Sequence, residues 1–108
     1  MTQQQAIDRV LKELARAEAK HPRWPADRLR QVVIMVEEAG EALQAALNII
    51  EAEESLMEPP KMTGYEVTLA YNKMARLEEN LEDEVVSTAA MALRWLLNRR
   101  PLYAKDQP

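Results

Sequence analysis

An all-α helical bundle, built from three main helices and completed by self-association, is the fold this sequence predicts. Three observations carry that prediction. The 108 residues include only two glycines and no phenylalanine, and so little turn-forming glycine would leave a multi-stranded sheet hard to connect. Alanine, leucine and glutamate, all strong helix formers, are abundant. Apolar residues recur at three- and four-residue steps, the spacing of one helix face.

The first helix is expected over residues 1–20. Thr2 is its N-cap, and Gln5 three residues later completes a capping-box pattern. Ile7, Val10, Leu11, Leu14 and either Ala17 or Glu18 then form an amphipathic stripe. His21 precedes Pro22 and is pushed away from the helical region, so the helix stops there. Residues 22–25 (PRWP) form a rigid connector. His21 is read as a helix-end residue without a catalytic duty.

The second helix is expected over 27–54, capped by Asp27. At its centre Val32, Val33, Ile34, Met35 and Val36 are apolar on every side. Such a run calls for burial all round, in a larger bundle than three helices of one chain make. Gly40, inside the helix, costs about 1 kcal/mol against alanine. It allows either close helix packing or room for a ligand.

Residues 55–63 are expected to link the helices, because Pro59 and Pro60 break the pattern. The third helix is expected over 64–98, capped by Thr63 with Glu66 three residues on. At 1.5 Å per residue it is about 50 Å long. Two shorter helices do not cover that length, so the helix is kinked, or split near residues 78–83, or covered by a second subunit. Residues 99–108 form a tail.

Composition excludes several classes. There is no cysteine, so disulfides, thiolate nucleophiles and Cys-based zinc sites are out. One histidine does not build a His-rich metal site. The formal net charge of −4 speaks against nucleic-acid binding through a broad basic surface. No apolar run approaches the length of a membrane span. With no basic, apolar leader at the start of the chain, a cytoplasmic setting is expected.

The chemistry lies in the acids. Glu38 and Glu41 project from one side of a helix on successive turns, and Glu37 pairs with Glu41 four residues on. Acids beside the most apolar part of a chain are costly unless paired or bound to a cation. On the third helix Glu84 lies at the edge of the apolar stripe, within about 20° of Leu77 at 100° per residue. Lys73, Asn80, Glu84, Ser87, Met91 and Asn98 make a strip bordering the core. One acid facing a helix with two or three more is the layout of an oxygen-ligand cation site of the Mg²⁺ kind. A Glu-rich helix is more often a solvated face, which is the reading for Glu78, Glu79, Glu82 and Asp83. Trp24 is either a core plug or a base-stacking platform.

These residues carry a resemblance. The segment Glu37-Glu38-Ala39-Gly40-Glu41 resembles the EExxE motif of the MazG-like all-α nucleotide pyrophosphohydrolases. Glu84-Val85-Val86-Ser87 and the residues after it look like that family's second metal helix, with its ExxD pattern. The stretch His21-Pro22-Arg23-Trp24-Pro25, then Asp27, looks like the family's phage-type branch. The resemblance covers roughly residues 20–98.

The resemblance implies a bundle that assembles into dimers or tetramers and binds Mg²⁺, with Mn²⁺ as a substitute. It implies cleavage of nucleoside triphosphates between the α- and β-phosphates, giving the monophosphate and pyrophosphate. Glu38, Glu41 and Glu84 would be the metal ligands. Glu37 would be a ligand or the residue that orients the attacking water, so Glu37 and Glu38 are the catalytic candidates. Two features depart from the pattern. Ser87, a weaker and neutral ligand, stands where the family has its final aspartate, and the spacer between Glu41 and Glu84 is longer than is common. Trp24, Lys73, Asn80 and Arg94 are candidates for holding the nucleotide. Lys73 stands about 16 Å from Glu84 along the helix and would serve the far end of the substrate or another subunit's site. The competing expectation is a catalytically degenerate helical oligomer that binds a nucleotide or a protein.

Overall fold

The structure, a computed structural model, describes residues 1–57 and 63–99. Among them are three α-helices and no strand: α1 (Gln3–Lys20), α2 (Arg28–Met57) and α3 (Gly64–Leu97). The all-α bundle expected from the composition is what the chain forms.

Local chemistry sets the helix ends. The Thr2 hydroxyl accepts from the Gln5 amide at 3.1 Å, and the Gln5 side chain accepts from the Thr2 amide at 2.8 Å. This reciprocal pair satisfies two amides that no helical carbonyl reaches. At the other end the His21 amide donates to Ala17 at 2.8 Å and the chain turns away into Pro22. The Asp27 carboxylate accepts from the Leu29 amide at 3.1 Å at the start of α2. The Thr63 hydroxyl accepts from the Glu66 amide at 3.2 Å at the start of α3.

α2 runs three residues beyond the expected 54, to Met57. Glu53, Glu54 and Leu56 are helix formers, and the restriction imposed by Pro59 falls on residue 58, not earlier. The expected linker therefore loses 55–57 to the helix. Its residues 58–62, like the tail from 100 to 108, lie outside the described residues. α3 is a single helix without a break, closed by the Asn98 amide donating to Arg94 at 3.1 Å.

α3 is the spine of the fold, packed along α2 on one side and against α1 on the other. α1 runs in the same direction as α3. Arg9 meets Glu82 at 2.8 Å and also pairs with Asp83, while the carbonyl of His21 meets Arg94. α2 returns antiparallel, which brings Glu41 opposite Glu84 and Ile34 towards Met91. The core is small: Leu14, Ala90 and Met91 are buried, with Val10, Ala17, Trp24, Ile34, Met35 and Leu93 packed around them.

The apolar run at 32–36 is not buried all round within one chain. Ile34 and Met35 pack on the core, but Val32, Val33 and Val36 are exposed. Together with Leu29, Leu43, Leu47 and Ile50 they leave a long apolar face of α2 open to solvent. Gly40 is also open: a Cβ placed there would meet nothing within 4 Å. Close packing against another helix of the same chain is therefore not what this glycine serves. No helix among the described residues is long and apolar enough to cross a membrane.

Candidate metal centre

The antiparallel pairing of α2 and α3 brings three of the sequence-predicted acids together. Carboxylate oxygens of Glu38, Glu41 and Glu84 all lie within 4.8 Å of one another. Glu38 and Glu41 arrive on successive turns of α2, and Glu84 faces them from α3. Glu38 and Glu84 are half-buried and Glu41 is exposed.

The electrostatics show the strain of this grouping. Burial pushes the Glu38 carboxyl above the usual carboxylate range, and the charges of Glu41, Glu13 and Glu37 push the same way, against a smaller opposite pull from Arg16. Glu84 is raised too. Burial acts first, then a hydrogen bond with the Glu41 carboxyl, then the charges of Glu41, Glu38 and Asp83. Like charges held together in a partly dry site favour the protonated form. A divalent cation relieves the same repulsion.

The donor set fits such a cation. Three hard carboxylate oxygens are the ligands Mg²⁺ takes, with water and phosphate oxygens completing its shell. Glu38, Glu41 and Glu84 would be the residues to hold such a cation.

Beside the carboxylates lies a cleft of about 430 Å³, walled by α1, the connector, α2 and α3. Glu38 and Ser87 line the edge it shares with the acids. Trp24 and Arg94 line it as well. The Arg94 guanidinium is 5.0 Å from the Trp24 ring centroid, and the residue is only 4% exposed. Its Nη2 donates to the His21 carbonyl at 2.6 Å, while its Nε, and the Nε1 of Trp24, have no hydrogen-bond partner among the described residues.

The other sequence candidates lie elsewhere. Glu37 is exposed on α2, next to Glu38 but outside the three-carboxylate group. Lys73 and Asn80 are exposed on α3 and do not line the cleft. The sequence reading also passed over four residues that do line it: Glu13, Arg16 and Lys20 of α1, and Arg23 of the connector. Their signal was present but silent. Glu13 directly precedes Leu14, so it borders the buried stripe of α1. What that stripe packs against is a tertiary fact.

No known protein-family model matches this chain, and no curated protein or solved structure matches it either.

Proposed function

We propose that this chain is a Mg²⁺-dependent nucleoside triphosphate pyrophosphohydrolase that acts as a homo-oligomer. The observation that carries the reading is the convergence of Glu38, Glu41 and Glu84 beside a cleft walled by cationic side chains and an indole. Clustered carboxylates alone repel an anionic substrate. Carboxylates beside Arg16, Lys20, Arg23 and Arg94 suit a ligand carrying both a cation and phosphates.

In this reading Glu38, Glu41 and Glu84 hold the cation, and Ser87 stands by as a neutral oxygen. When bound, Mg²⁺ neutralises charge on the phosphate oxygens and acidifies a coordinated water. Glu38 or Glu37 takes the proton from the attacking water. The water oxygen bonds to the α-phosphorus, the bond from that phosphorus to the α–β bridging oxygen breaks, and pyrophosphate leaves. Arg94 and Trp24 hold the nucleotide in the cleft. Lys73 and Asn80, away from it, are left for a neighbouring subunit.

The open apolar face of α2 supports self-association. Leu29, Val32, Val36, Gly40, Leu43, Leu47 and Ile50 follow one another at steps of three and four, the spacing of a helix–helix seam. Gly40 lets a partner backbone approach closely.

The test is product analysis across ribo- and deoxyribonucleoside triphosphates, with and without Mg²⁺. Monophosphate and pyrophosphate, formed only with the metal, are expected. Orthophosphate, or no product from a folded oligomer, overturns the reading and leaves a binding module in its place.

A further inference from the structure

α1 brings a carboxylate of its own to the site. Glu13 lines the cleft together with Glu38 and Ser87. Its two oxygens accept from Arg16, from Nε at 2.8 Å and from Nη2 at 2.6 Å. The two partners differ in setting: the Glu13 side chain is 20% exposed and that of Arg16 61%. The acid therefore faces inward and the base outward. Ser87 shares this stretch of the cleft with Glu13, and the Glu13 charge acts on Glu38.

A second observation points to a ligand at the same place. Arg94 lines this cleft at 4% exposure with its Nε unpartnered among the described residues. A buried N–H without an acceptor costs free energy, which an anionic oxygen in the cleft would return. A ligand that carries a cation and phosphate oxygens together meets both the inward carboxylate and the unpaired donor.

We propose that Glu13 is a fourth carboxylate of the cation site, reaching from α1 beside Ser87, that it leaves Arg16 for the cation when the cation binds, and that Arg16 then takes a phosphate oxygen when substrate enters. This rests on the cation-dependent reading above. In the resting chain Glu13 and Arg16 cancel each other's charge, which leaves Lys20 as the net cation of the α1 wall. On loading, Glu13 turns to the cation. Arg16, released, turns its planar fork of N–H groups to the phosphate, a geometry that guanidinium suits.

Mn²⁺ binding to the full chain without nucleotide, followed by the electron paramagnetic resonance of the free ion, tests this. Thermal melting runs beside it. Glu13→Gln is expected to lower Mn²⁺ affinity at least about tenfold. Arg16→Gln is expected to raise Mn²⁺ affinity by freeing the carboxylate, and to weaken a non-hydrolysable triphosphate. If Glu13 merely anchored Arg16, both variants would melt earlier and both would bind Mn²⁺ like the native chain, which overturns the proposal. Should Glu13→Gln not fold, Glu13→Asp keeps the charge and shortens the reach, and native Mn²⁺ affinity in that variant overturns it equally. Native chain that binds no Mn²⁺ removes the cation-dependent reading together with this one. Native chain that binds Mn²⁺ while Glu13→Gln binds it equally well removes Glu13 alone.

Discussion

The guanidinium of Arg94 sits 5.0 Å from the centre of the Trp24 ring while its Nη2 holds the carbonyl of His21 at 2.6 Å. One side chain of α3 thus fastens the start and the middle of the turn that joins α1 to α2. The connector forms a wall of the cleft, so the same contact that folds the turn also shapes the site. Gln31 adds a second tie, donating to the Pro25 carbonyl at 2.6 Å.

Arg94→Met is therefore expected to cost about 2 kcal/mol, the sum of a lost charged hydrogen bond and a lost cation–π contact. Arg94→Lys is not expected to restore it, because an ammonium has no planar face to lay on the indole. Urea unfolding of the three chains measures this, and native stability in Arg94→Met would remove Arg94 as the fastener.

The raised carboxyls give a pH dependence whose sign is fixed. Glu38 and Glu84 bind their protons more tightly folded than unfolded. Their contribution to stability is then present at low pH and is lost as pH rises through their folded-state values. Glu38→Gln removes that loss. Without metal at pH 7 it is expected to raise stability by about 0.5 kcal/mol, on the scale of like-charge repulsion, or about 2–4 °C in melting temperature. Glu13 runs the other way. Its pKa is held down chiefly by the Arg16 hydrogen bonds, so its contribution is present above the ordinary carboxylate value and fades as pH falls. Melting curves from pH 4 to 8 for native, Glu38→Gln and Glu13→Gln separate the two signs.

Saturating Mg²⁺ is expected to reverse the first effect. At a hundred times its dissociation constant a bound ion stabilises the native chain by about 2.7 kcal/mol. The Glu38→Gln variant, short of one ligand, gains less. Equal gains in both chains would place the ion elsewhere.

Much of this was legible in the sequence because it is local. The capping box at Thr2 and Gln5, the stop before Pro22 and the shared face of Glu38 and Glu41 each depend on residues within one turn. Glu84 could be paired with them because both helices show which side is apolar. Glu13 and Arg16 could not be found this way. Their place at the cleft follows from α1 running parallel to α3, with Arg9 beside Glu82 and His21 beside Arg94. No residue pattern within α1 states that direction. Lys73 and Asn80 lie on the expected strip yet are exposed, because the cleft opens towards α1 at the other end of α3.

The core that holds α1 in place is small, and Leu14 is its contribution from that helix. Leu14→Ala is expected to cost about 2–3 kcal/mol, the lower part of the range for such deletions. It should also loosen α1 enough to weaken Mn²⁺ binding through Glu13. Hydrogen exchange reads the first effect in α1 amides, and full protection there would contradict it.

The apolar seam of α2 makes a separate prediction. Leu43, 62% exposed, and Val36, 63% exposed, lie at its middle. Leu43→Glu or Val36→Glu is expected to yield monomers that keep their helical circular dichroism. Sedimentation at micromolar concentration decides it, and a native chain that is itself strictly monomeric would contradict self-association.

The most direct test of the central claim sets native chain and Glu38→Gln side by side, measuring Mg²⁺-dependent pyrophosphate release from nucleoside triphosphates and melting temperature on the same samples. The account predicts release by the native chain, and in Glu38→Gln a loss of release together with a higher metal-free melting temperature. Undiminished release by a folded Glu38→Gln would contradict it, because the three-carboxylate cluster would then not be where the chemistry occurs.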